Sequence, residues 1–290
     1  MVINIENISA CILDMDGVVT NTARIHAEAW KRMFDDFLAR HAGNKGKKFE
    51  QFDIEKDYRD YVDGKPRYEG VQSFLESRNI SLPYGSPQDQ PGEQTVCGLG
   101  NRKNTLFLEI LNQKGARPYE STLEFIARGR NSGIRFALIS ASRNAAKVIE
   151  AANLGNMFEV IVDGKIADEL KIAGKPAPDI FLEAARRLQT DPGDAMIIED
   201  AVAGVQAGKS GNFALTIAID RDNRTAALQK AGADIVVKDL AELSFCKKTA
   251  QGKHLPSALE EQDAIFKRLQ EGSPAIFLDY DGTLTPIVDN

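Results

Sequence analysis

Short apolar runs alternate with amphipathic stretches along most of this chain. Residues 10–14 (Ala-Cys-Ile-Leu-Asp) are an apolar run that ends in an acid. Runs of the same kind recur at Ile134–Ser140, Val160–Asp163, Ala195–Glu199, Phe213–Ile219 and Asp234–Val237. Brief, uninterrupted apolar runs of this length predict strands buried on both faces. Helical patterns lie between most of them. Over 178–189, Ile180, Phe181, Ala184 and Leu188 share one face, with Pro176 and Pro178 where a helix starts. Over 119–131 the apolar residues are Leu123, Ile126 and Ala127, and Gly133 follows as a C-cap. This alternation predicts an α/β fold built on a doubly wound parallel sheet.

Residues 22–112 interrupt the rhythm. Trp30, Met33, Phe34, Phe37 and Leu38 repeat at helical spacing, as do Val71, Phe74 and Leu75, then Leu106, Phe107, Ile110 and Leu111. A helical insertion is therefore expected after the first strand. Within it, 82–95 reads as a polar, Pro/Gly-rich loop, and Asn44–Lys48, with three lysines, as a solvated turn. Past Leu243 a polar stretch, Lys247–Lys253, leads to an amphipathic helix expected at 256–271.

Composition narrows the function classes. Across 290 residues, 36 Lys and Arg face 42 Asp and Glu, a formal net charge of -6, which argues against a nucleic-acid binder working by positive charge. The 43% hydrophobic content supports a real core. Cys11, Cys97 and Cys246 lie far apart and form no Cys-x-x-Cys, so neither a disulfide framework nor a structural zinc site is expected, and a reducing compartment is favoured. No apolar run approaches the roughly 18 residues of a membrane helix, and the first residues lack a basic signal-peptide region. The expectation is a cytoplasmic protein without membrane or nucleic-acid partners.

The strongest chemical signal is Asp14-Met15-Asp16-Gly17-Val18-Val19-Thr20, directly after the first strand. Acids at the C-terminal end of a parallel strand sit at the rim where α/β ligands bind. A turn at Gly17 would aim both carboxylates at one point, as a nucleophile and an acid/base. By itself the same motif reads equally well as a turn with a helix N-cap. Three further clusters fall at strand ends or helix starts. Ser140-Ala141-Ser142-Arg143-Asn144 offers hydroxyls, N–H groups and a cation to an anion. Gly174-Lys175-Pro176-Ala177-Pro178-Asp179 holds a lysine at a fixed turn, and Glu199-Asp200 offers adjacent acids suited to Mg²⁺.

Taken in order, Asp-x-Asp-Gly, Ser, Lys and Glu-Asp resemble the four motifs of the haloacid dehalogenase superfamily of phosphotransferases, over about residues 8–243. Within it the wording is most similar to the β-phosphoglucomutases. Asp14 through Thr22, His26 and Trp30 resemble that family's entry into a helical cap. Gly64-Lys65-Pro66-Arg67 resembles its phosphate-holding cap loop, and Arg102-Lys103-Asn104 a second cap contact. The resemblance implies a Rossmann-like core at 1–20 and 114–245, with the helical cap at 21–113. It implies that Asp14 becomes an aspartyl phosphate and Asp16 moves the proton. Mg²⁺ would sit on Asp14, the Asp16 carbonyl and Asp200, with Glu199 in or near its shell. Ser140 and Lys175 would hold the transferring phosphoryl group.

A mutase must hold two phosphates, and Ser142, Arg143, Asn144 and Arg67 resemble a second anion site. Gly64 belongs to the same cap loop. Thr22, His26 and Lys103 resemble the residues that couple cap closure to Asp16. Read without the family, Arg67 is a surface arginine, His26 a half-buried helix residue and Trp30 core packing. Asn21, Arg143, Lys65-Pro66 and the length of 82–95 depart from the family pattern. The expected activity interconverts β-glucose 1-phosphate and glucose 6-phosphate, primed by glucose 1,6-bisphosphate, in a monomer acting on a sugar phosphate. The alternatives are a sugar-phosphate phosphatase and a non-catalytic module of a trehalose-pathway fusion. Gly204–Ser210 imitates a phosphate-binding Walker loop but is one residue short and falls in an expected helix, and Gly98-Leu99-Gly100 lacks a third glycine. A second Asp-x-Asp-Gly at Asp279 and Asp281 resembles the opening of trehalose-6-phosphate phosphatases. It implies a linker helix at 246–272 and, at 273–290, the first strand of a truncated second domain.

Overall fold

The computed structural model describes residues 1–43 and 50–246. The lysine-bearing turn at 44–48, the helix at 256–271 and the second Asp-x-Asp-Gly lie outside the described residues. In chain order the elements are β1 (Val2–Asn4), β2 (Ala10–Asp14), α1 (Ala23–Gly43), a π-helical turn (Tyr58–Val62), α2 (Arg67–Ser77), α3 (Val96–Lys114), α4 (Glu120–Asn131) and β3 (Arg135–Ile139). There follow α5 (Ala145–Ala151), β4 (Val160–Val162), α6 (Gly164–Leu170), α7 (Asp179–Arg187), β5 (Ala195–Glu199), α8 (Val202–Ser210), β6 (Leu215–Ile219), α9 (Thr225–Ala231), β7 (Ile235–Val237) and β8 (Ser244–Cys246).

Six strands form one parallel sheet in the order β4-β3-β2-β5-β6-β7. Every residue of β2 and β5 is buried. Their side chains alternate between the two faces, as the pleat requires. Cys11, Leu13, Met196 and Ile198 pack with α4 and the insertion. Ala10, Ile12, Ala195 and Ile197 pack with Ile180, Phe181, Ala184 and Leu188 of the α7 region. Continuous apolar runs are thus the signature of strands covered on both sides, and the α/β reading holds. α4 ends at Asn131, and Gly133 takes a φ of 85° just beyond it, as the C-cap pattern anticipates.

One pairing was not expected from the sequence. β1 and β8 form a separate parallel pair, Val2 opposite Ser244 and Asn4 opposite Cys246. Three residues per strand are too few for a periodic signal, so only the long-range pairing defines them.

The segment between β2 and α4 is helical. α1 packs along α3, and the aromatic positions of α1 meet those of α2: Phe34 stacks at 5.3 Å from Trp30 and 4.0 Å from Phe74. The loop before α3 is pinned rather than loose. Asn101 donates to the Pro87 and Asp89 carbonyls at 3.1 and 2.9 Å, and Thr95 caps α3 by accepting from the Gly98 N–H. Asn21 ties the two ends of the insertion together, its N–H donating to the Arg117 carbonyl and its side-chain oxygen accepting from the Arg117 N–H. No described helix is long and apolar enough to cross a membrane.

Candidate active site

The parallel sheet delivers its acids to one edge. Asp14 is the last residue of β2, and β2 lies between β3 and β5, so Ser140, just past β3, and Glu199, the last residue of β5, fall beside it. Burial there would be prohibitive for isolated charges, and each is paired. The Lys175 ammonium donates to Asp14 Oδ1 at 2.6 Å and to Glu199 Oε1. Asp14 Oδ2 accepts the Asp16 N–H at 2.9 Å. Glu199 Oε2 accepts the N–H groups of Asp200 and Ala201, both at 2.8 Å. Burial alone would lower the pKa of Lys175, but the Asp14 and Glu199 carboxylates more than offset it and hold it above the ordinary lysine range. Burial pushes Asp14 well up, against the pull of Lys175 and with Glu199 and Asp16 adding repulsion.

Gly17 allows the turn. Its φ is +90°, and a Cβ there would lie 1.8 Å from Asp200 Oδ2, so a side chain would displace that carboxylate. Asp14, Glu199 and Asp200 each offer an oxygen within 4.8 Å of the others. Burial raises the pKa of Asp200 well up, and the nearby Asp63, Glu199 and Asp14 carboxylates raise it further. Carboxylates crowded into an all-oxygen donor set fit a hard divalent cation. Both Glu199 oxygens and both Asp14 oxygens already accept hydrogen bonds, so a cation at this cluster would share Asp14 with Lys175 and the Asp16 N–H.

Asp16 occupies a different setting two residues on. Its carboxylate accepts from the Thr22 hydroxyl and, at 3.3 Å, from the Ser140 hydroxyl, and His26 Nε2 lies 3.4 Å away. Burial would raise its pKa, but His26 and Thr22 more than reverse this and bring it to about 2. Ser140 and Thr22 do not line the cavity; they stand behind Asp16 and fix it.

The opposite wall comes from the insertion. Lys103 contacts His26 Nδ1 at 2.6 Å and lies 4.8 Å from the Trp30 ring and 5.1 Å from Phe107. Burial, with Arg67 adding like-charge repulsion, lowers Lys103 to about 7, and burial followed by Lys103 lowers His26. Trp30 is packed in the core, as expected, and also borders the cavity. Arg67 donates to the side-chain oxygen of Asn104 at 3.0 Å, which also accepts from Asn144 at 2.6 Å. Ser142 accepts the Asn144 N–H at 3.2 Å, and half-exposed Arg143 faces Asp168 at 3.3 Å. Gly64, Arg67, Ser142, Arg143 and Asn144 therefore line the same cavity as Asp14, Asp16, Lys175 and Asp200.

Asn104, expected as part of a second cap contact, joins the insertion to the core through Asn144, a link that the sequence did not indicate. Sequence reasoning missed Tyr58 and Asp63 beside the cap loop, and Tyr84, an exposed ring at the cavity within the Pro/Gly-rich segment. Arg224, at the end of the β6 loop, escaped notice although it lies on the same sheet edge as the motifs.

Known proteins resemble the chain throughout this region. The family model for haloacid dehalogenase-like hydrolases matches residues 8–212. A β-phosphoglucomutase of Mycobacterium bovis is 46% identical over 241 residues, covering 82% of this chain and 92% of that protein. A trehalose-phosphate phosphatase of Mycobacterium leprae is 32% identical over 177 residues, which is 60% of this chain and 39% of that protein. The crystal structure of a β-phosphoglucomutase from Clostridium difficile superposes with a TM-score of 0.61 at 23% identity, over 89% of this chain and 99% of that one.

Proposed function

The chain belongs to the haloacid dehalogenase-like hydrolase family, in its β-phosphoglucomutase branch, and on that premise we propose that it interconverts β-glucose 1-phosphate and glucose 6-phosphate. The observation that carries this reading is the pair of phosphate-sized polar groups facing one cavity: Asp14 with Lys175 on one side, and Arg67 with Asn104, Asn144, Ser142 and Arg143 on the other. A phosphatase needs the first set; a mutase working through a bisphosphate needs both.

In this reading phosphorylated Asp14 passes its phosphoryl group to the C6 hydroxyl of β-glucose 1-phosphate, while Asp16 takes the hydroxyl proton. The 1,6-bisphosphate then turns end for end. Asp14 attacks the phosphorus at C1, the C1–O–P bond breaks at phosphorus, and Asp16 returns the proton to the departing oxygen, giving glucose 6-phosphate. Lys175 neutralises the Asp14 carboxylate and the transferring group, which lets two anions approach. Thr22 and Ser140 aim the Asp16 carboxylate. Glu199 holds Lys175 and the turn into Asp200. Mg²⁺, held by Asp14, Asp200 and the Asp16 carbonyl, would supply further charge neutralisation. The idle phosphate rests on Arg67 and its amide partners, and 21–113 serves as the cap, with His26 and Lys103 linking it to Asp16.

³¹P NMR with β-glucose 1-phosphate, Mg²⁺ and catalytic glucose 1,6-bisphosphate tests the proposal. Glucose 6-phosphate is expected to accumulate. Release of inorganic phosphate alone would replace the mutase reading with a sugar-phosphate phosphatase.

A further inference from the structure

Arg224 lies far from every motif that the sequence singles out, yet its side chain is only 10% exposed and reaches the catalytic edge. It is held from below. The loop after β6 is anchored on Asp220, fully buried, whose carboxylate accepts the Arg224 N–H at 2.7 Å, the Thr225 hydroxyl, and the Lys238 ammonium at 3.0 Å. From this base the guanidinium donates to the Asp200 backbone carbonyl at 3.0 Å and to Asp63 Oδ2 at 3.4 Å. Its Nε is buried without a partner, and the exposed Asp222 carboxylate lies farther off, 3.7 Å from the guanidinium.

Asp63 belongs to the insertion and directly precedes Gly64 of the cap loop. The segment it leads sits close on the core: a Cβ on Gly64 would be 3.5 Å from that of Ala201 and 4.0 Å from Lys175 Cδ, and a Cβ on Gly174 would be 2.6 Å from Pro66 Cγ. Bringing the Asp63 carboxylate beside Glu199 and Asp200 is opposed by like charge. Some cation must offset it, and Arg224 is the cation that bonds it.

We propose that Arg224 is a positioning residue for the reaction: it clasps the insertion to the core by holding the Asp63 carboxylate and the Asp200 carbonyl at once. The clasp sets Gly64–Arg67 over Lys175 and Asp14, so that a phosphorylated Asp14 meets a sugar hydroxyl rather than water. This deepens the mutase reading and rests on it for its catalytic consequence, though not for its physical existence.

Amide hydrogen exchange on the full chain decides the clasp without reference to activity. In Arg224→Gln, the amides of 63–71, including Gly70, which donates to the Pro66 carbonyl, exchange about tenfold faster, while those of β2, β3 and β5 keep the wild-type rate. Asp63→Asn, which breaks the same contact from the other side, accelerates the same amides. The double variant exchanges no faster than the faster single one, because both remove one interaction. Wild-type exchange at 63–71 in both single variants, equal loosening of the sheet, or fully additive effects would each overturn the clasp. In turnover, Arg224→Gln sends a larger share of phosphoryl groups to water, and an unchanged share overturns the positioning role. Were the wild type itself to transfer only to water, the mutase reading would fail and the exchange result would still decide the clasp.

Discussion

Two buried lysines face each other across the cavity and are tuned in opposite directions. Lys175, from the core, and Lys103, from the insertion, are 3% and 5% exposed, so desolvation weighs on both. Lys175 lies between the carboxylates of Asp14 and Glu199 and is held above the usual lysine range. Lys103 lies against His26 and two aromatic rings, with Arg67 repelling it, and falls to about 7. Burial therefore does not decide the charge of a buried amine; its partners do. The core lysine is a permanent cation suited to a transferring phosphoryl group. The insertion lysine takes up a proton near neutrality, and the arrival of an anion would favour its charged form.

The comparison can be broken from either side. The largest effect is expected at Lys175→Met, which leaves two buried carboxylates without their cation. Destabilisation of about 3–5 kcal/mol in urea unfolding is expected, together with loss of turnover. A stability loss below that of an ordinary surface substitution would show that the pair is not held as described. Next is the cation that the core acids would take. Mg²⁺ at about 100 times its Kd should raise the stability of the wild type by about 2.7 kcal/mol, and much less in Asp200→Asn, read from melting curves. Equal stabilisation of both proteins would place the ion elsewhere.

Lys103 supplies a smaller, pH-dependent test. Its folded pKa, about 7, lies below its unfolded value, so between those values the unfolded chain binds a proton that the folded chain does not. Stability must then rise with pH across that window, and the penalty for burying the ammonium is complete only below about 7. The wild type is expected to gain about 2.5 kcal/mol on Lys103→Met between pH 8 and 10, as measured by urea unfolding at each pH. A flat difference would mean that Lys103 stays charged, like Lys175. The smallest effect is expected at Asn104→Ala, which unlinks Arg67 from Asn144. It should raise KM for the sugar phosphate about five- to tenfold with little change in kcat, as the loss of roughly one charge-assisted hydrogen bond requires. A fall in kcat alone would assign Asn104 to the chemistry instead.

The readable part of the molecule was its core edge. Asp14, Asp16, Lys175 and Asp200 stand at strand ends or in tight turns, where a short motif and its neighbouring apolar run describe the local geometry completely. The insertion was harder to read. Its helices announced themselves by periodicity, but Lys103, Asn104 and Arg67 derive their meaning from one another and from Asn144, across the cavity. Ser140 illustrates the same limit: its position after β3 was plain, whereas its hydroxyl turns to Asp16.

By itself the sequence determined the sheet, the helical insertion after its first strand and the identity of the acids and cations at the sheet edge. Backbone periodicity and turn chemistry are local, and each motif carries them within a few residues. Only the tertiary structure decided that Arg224 meets Asp63 across 161 residues of chain, that β1 pairs with β8, and that two equally buried lysines differ in charge. Those outcomes depend on which groups share a low-dielectric space, and that is settled by packing between distant segments rather than by the order of residues along any one of them.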